Sequence, residues 1–135
     1  MEIVGGSAQL CNNALERFGT EVKSHCSCFE DFKPKAQFHN VRSLCVLEHV
    51  DNPQDVIRKM HDWVIPGLRV IAVVLNAQSL DRQLAVVLRL QDNNNSLSPR
   101  DFLVVHQRVF IFDEIVTFFQ KAGFDIIEKF AIFFK

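Results

Sequence analysis

Residues 68–75, Leu-Arg-Val-Ile-Ala-Val-Val-Leu, are apolar at every position except Arg69. A strand with one wet face alternates apolar and polar side chains, whereas one apolar on both faces belongs inside a sheet covered above and below. Helices are the usual cover, so this run points to a layered α/β arrangement. Pro66-Gly67, immediately before it, suits the central positions of a type II turn, because proline presets one φ and glycine tolerates the positive φ that follows.

The rest of the chain alternates between strand-like and helix-like periods, as an α/β order requires. The run 2–4 stops at Gly5-Gly6-Ser7, and Ser7 is placed to cap a helix carrying Leu10, Ala14, Leu15 and Phe18 on one face, with Gly19 as the stop. Strands are predicted over 21–26 and 40–47, separated by a loop at 29–34. Asn52-Pro53 reads as a cap and first helical residue, and the following helix presents Val56, Ile57, Met60 and Val64 to the core. Further helices are predicted over 79–90 and from Asp113-Glu114 to Gly123. The stretch 91–99, with three consecutive asparagines, reads as a mobile loop, and 124–134 as a closing strand. With no internal repeat and no linker, residues 1–135 are expected to form a single domain.

Composition narrows the function. Fifteen basic and sixteen acidic side chains give a formal net charge of -1, too little positive field to favour nucleic acid or anionic lipid. No apolar run approaches the length of a membrane span, and the N-terminus lacks a basic start with an apolar stretch, so a cytoplasmic location is expected. Cys11, Cys26, Cys28 and Cys45 lack the spacing of a disulfide framework and read as small buried hydrophobes, with Cys26 and Cys28 on one face of a strand. His25 beside those two cysteines lacks a second pair at zinc-ligand spacing, so no metal site is expected. Thirteen phenylalanines and no tyrosine suggest a core of rings that need no hydrogen-bond partner, including those at 110, 112, 118, 119, 130, 133 and 134.

Several segments resemble, in order, the class I S-adenosylmethionine-dependent methyltransferases. Val46-Leu47-Glu48-His49-Val50-Asp51-Asn52-Pro53 looks like the segment after that family's fourth strand. Trp63-Val64-Ile65-Pro66-Gly67-Leu68-Arg69-Val70 resembles its turn into the fifth. The stretch from Asn76 to Leu80, His106-Gln107-Arg108-Val109-Phe110 and Lys121-Ala122-Gly123-Phe124 continue the match. The resemblance implies a Rossmann-like, mostly parallel sheet with helices on both faces, truncated because the chain begins at what resembles the family's second strand. It implies S-adenosylmethionine as cofactor and a small-molecule methyl acceptor as substrate. Cofactor contacts are expected at Phe29, Glu30 and Asp31 on the adenine side and at Cys45 and Val46 at a strand end. Residues facing the acceptor are expected at His49, Asn76, His106 and Arg108.

The sequence also departs from the family pattern. The first strand and its glycine-rich loop have no counterpart, and Gly5 stands where a ribose-binding carboxylate is expected. Methyl transfer depends chiefly on positioning, so catalysis is expected to be impaired or absent. A sheet lacking its first and seventh strands would leave buried backbone groups unpaired unless the second strand pairs directly with the fourth, or two copies join open edges. The competing reading is a non-catalytic interaction module that binds through those edges, and an excised piece of a longer enzyme is a third. Glu48-His49 reads either as an acid/base pair or as a corner that shapes the strand-to-helix turn, the second being favoured. His106 and Arg108 read equally well as substrate-facing groups or as a solvated face.

Overall fold

The computed structural model describes residues 1–132 and divides into two compact units, 1–36 and 37–135. The first unit is one βαβ turn. Strand β1 (Glu2–Gly5) leads into helix α1 (Ala8–Phe18), and the chain returns through a short 3-10 turn to β2 (Lys23–Cys26). β1 and β2 pair in parallel from Glu2 opposite Lys23 to Gly5 opposite Cys26. Ser7 caps α1 by accepting from the Leu10 N–H, and Gly19, at φ 56°, ends it. The predicted face of α1 is corrected: Cys11 is the buried residue, while Leu10 is 68% exposed. The Cys11 thiol reaches the Gly5 and His25 carbonyls, tying helix to both strands. Cys26 and Cys28, expected in the core, are both exposed.

The second unit repeats the plan on a larger scale. β3 (Phe38–Leu44) is followed by α2 (Pro53–Trp63) and β4 (Val64–Val73), and β3 and β4 pair in parallel from Asn40 opposite Arg69 to Leu44 opposite Val73. The Pro66-Gly67 turn forms inside β4 as a bulge: the register slips between Phe38 and Asn40, and Gly67 adopts φ 80°. α2 begins as predicted, with the Asn52 side chain accepting from the Gln54 and Asp55 N–H groups and Pro53 in the first turn. Its inner face, Val56, Ile57 and Met60, is at most 2% exposed and shares the core with Leu47, Val64, Phe110, Ile115 and Phe119. α3 (Leu80–Val87), α4 (Pro99–Leu103) and α5 (Phe112–Lys121) complete the unit. An isolated parallel bridge joins Asn76 to Phe110. No helix of the described residues is long and apolar enough to cross a membrane.

Three expectations are revised. The run 68–75 is not covered on both faces: Leu68 and Ile71 are 42% and 48% exposed, because the ladder has only two strands and little surface to cover. The ladders among the described residues are β1–β2 in the first unit and β3–β4 in the second, each two-stranded and parallel. Residues 124–132 form no strand, since no ladder partner is available to them among the described residues. Phe124 instead packs edge-on against His61 and beside Phe119, and Phe130, expected in the core, is 67% exposed. Phe133 and Phe134 lie outside the described residues.

Because Ile57 is fully buried on the inner face of α2, Ile57→Ala is expected to lower unfolding free energy by about 2–5 kcal/mol, and Asn52→Ala by about 1 kcal/mol through loss of the cap. Urea denaturation of both variants checks the order of the two effects.

Candidate functional site

The carboxyl end of β3 carries the densest polar structure of the second unit. Cys45 follows the strand in a left-handed conformation, φ 52°, with its N–H bonded to the Val73 carbonyl. Val46 is half-buried and Leu47 and Glu48 are fully buried. The segment 105–110 is fastened along this corner. The Gln107 N–H donates to the Glu48 carbonyl at 2.9 Å, and the Gln107 amide donates to the His49 carbonyl and the Asp51 carboxylate. The Arg108 guanidinium donates to the Val50 and Asp51 carbonyls. Phe110 then closes the arrangement by donating to the Leu75 carbonyl and accepting from Ala77.

This fastening brings His49 and His106 together, with ring centroids 4.7 Å apart. His106 Nδ1 lies 2.9 Å from Asp101 Oδ1. An ionised carboxylate only accepts, so Nδ1 carries the proton and Nε2 is the uncommitted nitrogen. His49 Nδ1 similarly faces the Val105 carbonyl at 3.2 Å, which leaves its Nε2 uncommitted. Val105 is a β-branched residue at φ 60°, a conformation that such residues rarely adopt. Two strained residues, Cys45 and Val105, thus flank one histidine pair, and strain of about 1–3 kcal/mol each collects where the surrounding structure imposes a geometry.

Asp101 is the anchor of the cluster. It is 5% exposed and accepts from His106, from Arg82 Nη2 at 2.7 Å, and from the Ser98 N–H and hydroxyl, both at 2.7 Å. Burial pushes its pKa up, but the hydrogen bonds from His106, Ser98 and Arg82 more than offset this and hold the carboxyl well below the usual carboxylate range. Arg82 also donates to the Ser96 carbonyl at 2.9 Å, so the stretch 91–99, read from sequence as mobile, is fastened by hydrogen bonds. Glu48 is the opposite case. Neither of its buried carboxylate oxygens meets a donor at hydrogen-bonding geometry among the described residues, and burial raises its pKa, an effect only partly opposed by the neighbouring His49 and His106.

The residues proposed from sequence separate into groups. His49 and His106 converge. Arg108 is committed to backbone carbonyls, and Asn76 accepts from the Gln78 N–H and forms the bridge to Phe110. Phe29, Glu30 and Asp31 lie in the first unit, in the turn after β2. There Asp31 lines an open hollow of about 390 Å³ together with Glu2, His25, Phe32 and Lys33. At the end of β1, Gly5 and Gly6 present no carboxylate. Of Phe29, Glu30 and Asp31, only Asp31 lines the hollow. Sequence reasoning missed Asp101, Arg82 and Ser98. The signal was present: Ser98-Pro99-Arg100-Asp101 is a helix capping box, with proline at the first helical position.

Asp101→Ala is expected to destabilise the protein at neutral pH by about 3 kcal/mol or more, since it leaves buried Arg82 uncompensated. The depressed Asp101 pKa makes its contribution complete above the ordinary value of 3.8 and progressively lost as pH falls below it. The raised pKa of Glu48 has the opposite consequence: wild-type stability declines relative to Glu48→Gln as pH rises above 4.5. Thermal melts of the three proteins across pH 3–8 check both signs, about one pH unit on either side of the two thresholds being needed.

No protein-family model matches the chain, and no curated protein matches it in sequence. Solved structures do match. An S-adenosylmethionine-dependent methyltransferase from Thermotoga maritima, described as a possible histamine N-methyltransferase, superposes with a TM-score of 0.70 at 18% identity, covering 93% of this chain and 55% of that one. The N-methyltransferase NodS from Bradyrhizobium japonicum WM9, in complex with S-adenosyl-L-homocysteine, gives 0.61 at 11% identity, covering 89% and 52%. The chain spans about half the length of these structures. Over that span its α/β architecture is the Rossmann-like fold of the class I S-adenosylmethionine-dependent methyltransferases.

Proposed function

We propose that residues 1–135 are a methyltransferase-like domain that binds the adenosyl part of S-adenosylmethionine and faces a small-molecule methyl acceptor in the cytoplasm, with methyl transfer weak or absent. The observation that carries this reading is the fold match over 93% of the chain, with one of the matched structures holding S-adenosyl-L-homocysteine. Phe29, Glu30 and Asp31 of the first unit supply the adenine-side contacts. When bound, the cofactor supplies a methyl group on a sulfonium. His49 and His106 present their Nε2 atoms to the acceptor, and the Asp101 carboxylate holds His106 in the tautomer that can take a proton from it. Weak catalysis follows from Gly5: with no acid at the end of β1, the ribose hydroxyls lose a paired hydrogen bond that would fix the cofactor for in-line transfer.

A second reading is favoured by the sheets themselves. β1–β2 and β3–β4 are two-stranded, so each ladder has unpaired edges, which suit a non-catalytic module that binds itself or another chain.

Isothermal titration with S-adenosyl-L-homocysteine separates the two. Binding in the micromolar range is expected, weakened about tenfold or more in Asp31→Ala, consistent with losing one hydrogen bond to a charged group worth about 1.5 kcal/mol. No heat at high protein concentration would remove the cofactor reading and leave the module.

A further inference from the structure

Helix α1 sets a buried thiol against the face of the β1–β2 ladder that ends in a second thiol. On the opposite face, Glu2 reaches His25 at 2.7 Å and Lys23 at 3.6 Å across the ladder. Side chains alternate along a strand, so Gly5 and Cys26, which are ladder partners, share the other face with Ile3 and Ser24. Cys11 stands over that end. Its sulfur lies 3.4 Å from the Gly5 carbonyl oxygen, 3.7 Å from the His25 carbonyl oxygen and 3.8 Å from where a Gly5 Cβ would sit. The His25 carbonyl belongs to the peptide that carries Cys26, and neighbouring strands run about 4.8 Å apart, so the Cys26 side chain rises beside the Cys11 sulfur. Gly5 carries no side chain to separate them. The two thiols interact: loss of solvation first, and then the Cys11 thiol, push the Cys26 pKa up. Cys11 is buried, whereas Cys26 is open to solvent.

We infer that Cys11 and Cys26 are an oxidation site, which hydrogen peroxide converts into a disulfide that clamps α1 to β2. Cys26, the exposed thiol, reacts first. Its thiolate attacks one peroxide oxygen and breaks the O–O bond, becoming a sulfenic acid, while the other oxygen leaves as hydroxide and takes up the thiol proton as water. The Cys11 sulfur then attacks the sulfenic sulfur. The S–S bond forms, the S–O bond breaks, and the departing hydroxide takes the Cys11 proton as a second water. The two thiols lose two electrons in all, and the peroxide gains them. The raised Cys26 pKa keeps its thiolate scarce, so the reaction is slow and needs excess peroxide. Cys28 is the rival partner, exposed and two residues along the chain. Its carbonyl is held in the turn after β2 by the Asp31 and Phe32 N–H groups, away from the regular ladder that aims Cys26 at Cys11. A metal fits less well, since no three His, Cys, Asp or Glu side chains among the described residues are placed to hold one.

Peptide mapping tests the inference on the full chain, treated with excess hydrogen peroxide in native buffer, quenched with an alkylating reagent and digested without reduction. A peptide pair joining Cys11 to Cys26, released by dithiothreitol, is expected as the dominant product. Cys28→Ser is expected to keep the link and Cys26→Ser to lose it. In denaturant the same treatment is expected to scatter linkage among the four cysteines, because the folded geometry no longer selects a pair. The oxidised wild type is expected to melt about 5 °C or more above its reduced form, through the constraint on the unfolded chain, and Cys26→Ser to show no such rise. A dominant link between Cys26 and Cys28, linkage just as scattered in native buffer, or Cys26 oxidised past the sulfenic stage with Cys11 still free would each overturn the site. An unchanged melting temperature in the linked protein would overturn the clamp. Titration with S-adenosyl-L-homocysteine reads the cofactor site separately, so either conclusion can fail alone.

Discussion

The second unit is organised around one buried carboxylate. Asp101 accepts from a guanidinium, an imidazole, a hydroxyl and a backbone N–H, contributed by α3, by the segment after α4 and by the α4 cap. A buried charge in a medium of low polarity is stable only when its hydrogen-bonding capacity is filled, and this one is filled four times. Its geometry has three consequences at once. It starts α4 by completing the capping box with Ser98, it sets the tautomer and direction of His106, and it fixes the rotation of α3 through Arg82. The last of these turns Leu80, Leu84 and Leu88 outward, so their exposure and the histidine site share one structural origin.

Around this anchor the carboxyl end of β3 is a place of unresolved local cost. Cys45 and Val105 occupy left-handed backbone conformations, and Glu48 buries two oxygens that meet no donor at hydrogen-bonding geometry among the described residues. Such costs persist only where surrounding contacts over-determine the geometry. Here those contacts are visible: Gln107 and Arg108 hold five backbone and side-chain acceptors on the four successive residues from Glu48 to Asp51. Arg108 therefore acts on the site through backbone, shaping the turn that places His49 against His106. The reading of Glu48-His49 as a turn-shaping pair holds for the backbone, while the His49 ring remains available for chemistry.

How much of this was legible in sequence follows from the range of each interaction. Signals that act within one turn were read well: Ser7 and Asn52 cap helices, Pro53 opens one, and Gly19, Gly67 and Gly123 take positive φ where stops or turns were predicted. The α/β order followed from the change of period, and the parallel pairing from the family resemblance. Burial was read less well, because an apolar strand or helix reports only its capacity to be covered. Leu68, Ile71 and Leu10 have that capacity and no cover here. The pairing of Asp101 with Arg82 joins residues 19 apart in sequence, and nothing in local spacing specifies it. Only its local half, the Ser98 capping box, was written in the chain. Residues 124–132 were read as a strand because their apolar content suits one, but a strand exists only against a neighbour.

The end of β1 bears most directly on the proposed cofactor site. Gly5 could be imposed by packing or permitted by it, and the local geometry distinguishes these. A Cβ built at Gly5 would meet the Cys11 sulfur at 3.8 Å, an ordinary van der Waals contact, and Gly5 has no positive φ that would exclude an L side chain. Gly6 has nothing within 4 Å. The fold thus leaves room for an acid at this strand end and does not require glycine there. The missing carboxylate is then separable from the stability of the βαβ unit. The histidine pair, by contrast, cannot be separated from the fold, because the same carboxylate that orients His106 also holds α3 and α4 in place.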